Sequence, residues 1–117
     1  MKNNKQKCSC KNIIPQSKKS YKQMIIIDIP THMSKYKESR IKNGLSDKVS
    51  IDPCIIEEIK ELWNKGIITY GSCCGHNLYE SFVNVDESNI EQMLSMGYVM
   101  NHKDKSRKDT FRLKMIN

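Results

Sequence analysis

At 117 residues, with 38% apolar and 7% aromatic side chains, the chain has the length of one domain and the means for one modest core. A multidomain architecture is excluded, and so is a helical membrane span, because the longest apolar run, 24–27, falls far short of the roughly 20 residues a bilayer demands. The formal charge of +7 is unevenly spread: residues 1–22 hold seven lysines and no acid, residues 23–97 seven basic against eleven acidic side chains, and residues 98–117 six against two.

Residues 1–20 are rich in Lys, Asn, Ser and Gln and show neither helical nor strand periodicity, which predicts a basic mobile arm over residues 1–22. Residues 23–117 read as a single α+β domain. The β-branched run 24–29, ended by Pro30, predicts a buried strand. Between residues 31 and 50 only Tyr36, Ile41 and Leu45 stand out from a polar background, and the segment supports one short helix around residues 34–43, before Gly44. Asp52-Pro53, followed by Ile55, Ile56, Ile59, Leu62, Trp63 and then Gly66, predicts a helix over residues 53–65. Asp52 is placed to cap its N–H groups, Pro53 suits its first position, Glu57 and Glu58 sit at the positive end of its dipole, and Gly66 terminates it.

Residues 67–70 and 81–85 predict a hairpin connected by residues 71–77. Cap residues from Asp86 to Ser88 open a helix carrying Ile90, Met93 and Leu94 and stopped by Gly97. Residues 98–100 and 111–115 predict a last pair of strands joined across the loop 103–109. The order β-α-β-β-α-β points to an α+β fold of the split β-α-β (ferredoxin-like) type: an antiparallel sheet with helices on one face and an extra C-terminal strand.

Five cysteines in a chain that reads as cytoplasmic are unsuited to a disulfide framework, which leaves metal ligation or thiol chemistry. Cys54 opens the long helix, and Cys73, Cys74 and His76 lie in the glycine-flanked run Gly71-Ser72-Cys73-Cys74-Gly75-His76-Asn77. Thiolate and imidazole are the ligands zinc prefers, so Cys54, Cys74 and His76 are the first candidates, Cys73 the fourth, and His32, just after the first strand, close behind. Adjacent cysteines on a regular strand face opposite ways, so either the chain leaves the strand between Cys73 and Cys74 or one is a ligand and the other core. Cys8 and Cys10 on the arm have a Cys-x-Cys spacing suited to a soft metal. The competing readings are buried structural thiols and a reactive thiol with His76 as its base.

Pro30-Thr31-His32, Asp52-Pro53-Cys54-Ile55, the run 71–77 and the Met93…Gly97-Tyr98 ending resemble a family of small uncharacterised proteins of phages and other bacterial mobile elements. The resemblance spans roughly residues 24–100 and implies a metal-binding Cys-Cys-Gly-His-Asn turn and a phage-type context in a bacterial host cell. More weakly, the turn is similar to the Ser-Cys-Ser-Gly-Arg turn of a tRNA wybutosine-pathway methyltransferase family, with Cys74 and His76 in place of that Ser and Arg.

No zinc-deaminase signature, phosphate loop, dinucleotide fingerprint, thioredoxin-type Cys-x-x-Cys or His-Glu-x-x-His is present. The expectation is therefore a small Zn²⁺-stapled cytoplasmic accessory protein whose Lys-rich ends contact nucleic acid or a host nucleoprotein, with inhibition of a CRISPR-like defence complex as one use of that contact. The alternative is a metal- or thiol-dependent enzyme acting on RNA or nucleotides, which would need an open metal position or a reactive thiol near His76.

Overall fold

Eight elements follow one another in an α+β order: β1 (Ile25–Asp28), α1 (Ser34–Lys42), β2 (Lys48–Ile51), α2 (Ile56–Asn64), β3 (Thr69–Cys73), β4 (Phe82–Val85), α3 (Ile90–Ser95) and β5 (Thr110–Arg112). They are seen in a computed structural model, which describes residues 25–75, 80–102, 104 and 106–114. The expected basic arm over residues 1–22, Cys8 and Cys10 within it, His76, and Met115 of the last expected strand lie outside the described residues. No helix among the described residues is long and apolar enough to cross a membrane.

α2 follows its apolar period closely. A 3₁₀ turn over Pro53–Ile55 leads into it, and Ile55, Ile56, Ile59, Leu62 and Trp63 are buried on one face. Gly66 ends it with φ of 84°, where the Gly66 N–H donates to Trp63 O and the Ile67 N–H to Leu62 O, so the last carbonyls of the helix are satisfied. The Trp63 indole N–H donates to the Thr69 hydroxyl at 2.8 Å, which fixes the ring as packing between α2 and β3. One expectation fails here. The Asp52 side chain makes no cap hydrogen bond; it is buried and turned toward the end of the next strand. A 3₁₀ turn over Glu87–Asn89 leads into α3, and Asp86 caps that turn, its carboxylate accepting the Ser88 N–H at 3.0 Å.

The strands form two antiparallel sheets, β1-β2 and β3-β4-β5. A split β-α-β arrangement would place β1 in one sheet with the hairpin, and the pairing of the described strands does not confirm it. The physical reason is β2, whose Lys48-Val49-Ser50-Ile51 reads as polar loop in the sequence yet pairs along the whole of β1, from Ile25↔Ile51 to Asp28↔Lys48. β1 is accordingly not the buried strand its composition predicts: Ile26 is 68% exposed, and the burial falls instead on Ile29 just beyond it. The short helix expected around residues 34–43 is present as α1, and none of its residues is buried.

β3 and β4 form the expected hairpin, but β3 runs on to Cys73, so residues 71–73 belong to the strand and not to the connection. Residues 98–100 make only a single bridge, Met100↔Phe111, where a strand was expected. The pairing across the loop is nevertheless real, since the Arg112 N–H donates to Val99 O and the Asn101 N–H to Thr110 O. The buried side chains make one cluster that runs from Ile29 to Leu113 and draws on both sheets.

Candidate functional site

The expected ligands are partly gathered at one junction. The Asp52 carboxylate, 1% exposed, accepts the Cys74 N–H at 2.9 Å and so fastens the end of β3 to the turn that carries Cys54. Cys54 is half-buried against the core, Cys73 is half-buried, and Cys74 is fully buried within the core. Of the two adjacent cysteines it is therefore Cys74 that packs inward, while the Cys73 sulfur accepts the Gly75 N–H at 3.3 Å.

His32 stands elsewhere. Its Nε2 donates to the Ile67 carbonyl at 2.8 Å and ties the entry of α1 to the α2–β3 connection, leaving Nδ1 as the ring's remaining ligand atom. Among the described residues no three His, Cys, Asp or Glu side chains gather so as to hold a metal ion. A metal at this junction would thus depend on His76, outside the described residues.

A second constellation, which the sequence reading passed over, occupies the three-stranded sheet. Alternation along β4 and β5 sorts the side chains: Ser81, Val83, Val85, Phe111 and Leu113 are buried on one face, while Phe82 and Asn84 lie half-buried on the other. Register places Arg112 opposite Phe82, Thr110 opposite Asn84, and Cys73 opposite Phe82 from the other side, so these residues share the open face. Glu80, Phe82, Asn84 and Thr110 form the floor and Asn101, His102 and Arg107 the wall of a groove of about 840 Å³.

The groove is organised by its own hydrogen bonds. The Thr110 hydroxyl donates to Asn84 Oδ1 at 2.7 Å. Arg107 donates twice to the Asp109 carboxylate, at 2.9 and 3.0 Å, and this guanidinium holds the Asp109 carboxyl below the ordinary range. The Asp104 N–H donates to His102 Nδ1 at 2.9 Å, while Asp104, kept below its usual pKa by the Ser106 hydroxyl and N–H, closes the loop on itself. Arg112 pairs with Glu80. On β3, Thr69 faces Val85 and Ser72 faces Val83, so Tyr70 and Gly71 share the position opposite Asn84 in a β-bulge. Gly71 is needed there: a Cβ would lie 3.3 Å from Asn84 Nδ2 and push the amide out of place.

One signal in the sequence was available for this face. Phe82 and Asn84 share a parity opposite to the apolar one of Val83 and Val85, which sets an aromatic ring on the outward face. Chemically the groove offers an aromatic ring, two amides, a hydroxyl, an imidazole, one guanidinium and one carboxylate. Comparison with protein-family models, with curated proteins and with solved structures finds no match for this chain.

Proposed function

We propose that this protein is a small binding module for nucleic acid, which it takes on the open face of the β3-β4-β5 sheet. The observation that carries this reading is Phe82, a half-buried aromatic in a groove lined also by Arg107 and His102, with Arg112 opposite it in the sheet register. Every base has a π-face to stack on such a ring, and guanidinium groups supply phosphate contacts. The ion pair of Arg112 is solvent-screened, with Arg112 47% and Glu80 51% exposed, so a phosphate competes for it at little cost. In sequence, residues 103–109 hold Lys103, Lys105, Arg107 and Lys108 against Asp104 and Asp109, in keeping with the basic C-terminal segment.

The test is fluorescence anisotropy of the full chain with labelled single-stranded RNA and DNA of mixed sequence across a salt series. Binding is expected to weaken with salt, and Arg107→Ala and Arg112→Ala should each flatten the log–log slope by roughly 0.7 to 1. Absence of binding at low salt would overturn the reading.

A zinc staple at the cysteine junction is a second reading, favoured by the Asp52 contact that holds Cys74 to the turn bearing Cys54. It uses Cys54, Cys74 and His76 as first ligands and Cys73 as the fourth. Elemental analysis of protein purified without added metal should then find one zinc per chain, lost in Cys54→Ser together with a fall in melting temperature. Metal-free protein of full stability sinks it.

A further inference from the structure

The polar groups of the sheet groove are fixed mainly as donors, and that selects among bases. Asn84 has its carbonyl oxygen engaged by the Thr110 hydroxyl at 2.7 Å, and in this arrangement Nδ2 is the end left to a ligand. His102 accepts the Asp104 N–H on Nδ1 at 2.9 Å, which puts the ring proton of the neutral imidazole on Nε2. Arg107 and Arg112 have no acceptor atoms at all. The carboxylate of the groove, Glu80, is engaged by Arg112. A base lying on Phe82 therefore meets the Asn84 amide N–H and the His102 imidazole N–H, on a rim that also carries Arg107 and the Asn101 amide.

We infer that the groove takes a single-stranded nucleic-acid segment with one keto pyrimidine, uracil or thymine, stacked on Phe82 and its carbonyl oxygens received by Asn84 Nδ2 and His102 Nε2. This rests on the reading of the open sheet face as a nucleic-acid site and adds base preference to it. Uracil and thymine present two carbonyl acceptors on the ring edge. Adenine has no carbonyl oxygen, and its exocyclic amino group, a donor flanked by the ring acceptors N1 and N7, would face donors here. Duplex is disfavoured for a different reason, since a paired base cannot lay its face on Phe82 without leaving the stack. Stacking alone would favour the larger purine ring, so the two contributions predict opposite orders and can be separated by experiment.

The experiment compares the full chain binding labelled U12, A12, dT12 and dA12 at one salt concentration. U12 is expected to bind at least fivefold tighter than A12, and dT12 tighter than dA12 by a similar factor, because the carbonyls are the same in both sugars. Asn84→Asp keeps the acceptor for Thr110 and removes the donor; it should bring the U12-to-A12 ratio close to one, whatever its added charge does to both affinities. Phe82→Ala should weaken all four by about tenfold, within the range measured for loss of a stacking ring. A12 equal to or tighter than U12 overturns the base preference while leaving the binding function standing, as does a preference seen in RNA only, which would be read from the 2′-hydroxyl. Failure of all four to bind overturns both. Melting curves of Asn84→Asp and Phe82→Ala close to that of the parent establish that the changed ratios belong to the site.

Discussion

Replacing Phe111 by alanine is expected to cost about 3–5 kcal/mol of folding stability, the range for emptying a fully buried aromatic position. The ring is 0% exposed and sits in the middle of β5, where the backbone pairs with Val83 on one side and bridges to Met100 on the other. No neighbour is free to move in and fill the space, since Val83, Val85 and Leu113 beside it are themselves almost wholly buried in paired or clamped segments. A domain of this size has about 5–15 kcal/mol in total, so the variant should lose more than about 12 °C in melting temperature. Phe111→Leu, which restores most of the volume, should recover the larger part. A loss below about 1 kcal/mol for the alanine variant, measured by urea unfolding, would show that β5 does not close the core as described. The effect extends to the site, because Thr110 and Arg112, on either side of Phe111, face the groove.

The second large effect is expected at Glu58. This glutamate is 2% exposed on α2 and its Oε2 accepts both the Tyr98 hydroxyl at 2.7 Å and the Lys114 N–H at 2.8 Å. It thereby joins α2 to the segment after α3 and to the segment after β5, at residues 40 and 56 positions away in the chain. Glu58→Ala strips the partner from two donors at once, one of them on a buried phenol, and should cost about 2–4 kcal/mol. Glu58→Gln keeps one acceptor oxygen and should cost less than half as much.

The same contact sets an alkaline limit. Burial first, and then the hydrogen bond to Glu58, raise the Tyr98 phenol above its ordinary pKa of 10.0. The folded state thus holds this proton more tightly than the unfolded one. The stabilisation is complete below about pH 10, and it drains away as the pH rises above that value, because the unfolded chain ionises first. Tyr98→Phe should flatten the alkaline arm of a stability–pH curve while lowering stability at neutral pH; an unchanged alkaline arm would contradict the linkage.

What could be read from the residues in order was what depends on near neighbours. α2 announced itself through Ile55, Ile56, Ile59, Leu62 and Trp63 and through Gly66, α3 through Asp86 and Gly97, and the hairpin through the alternation of residues 81–85, each a signal complete within about a dozen positions. β2 carried no such signal, because a strand whose one buried side chain is Ile51 looks like loop until its partner is known. Choice of partner is also what separated the two sheets, and composition does not encode it. Asp52 shows the same limit at a single residue: its position before Pro53 is that of a cap, yet burial and the Cys74 N–H claim it instead. The groove lay further out of reach, since its floor joins Asn84 to Thr110 across 26 positions and its wall includes His102, an ordinary surface histidine until the loop brings it over Phe82. The cysteines drew attention by their chemistry, and of these Cys74 turned out to be core.

The alternation along β4 and β5 has a consequence for how such a protein can change. Val83 and Phe111 point one way while Phe82, Asn84, Thr110 and Arg112 point the other, so both the interior and the ligand face are written into the same few residues on opposite parities. Inserting or deleting one residue within either strand would exchange the two sets and destroy both together. The loop between Asn101 and Asp109 has no such double duty: it supplies His102 and Arg107 from outside the ladder. The groove can therefore be altered by length and composition in that loop and by point substitution at Asn84, while the strands stay locked in count.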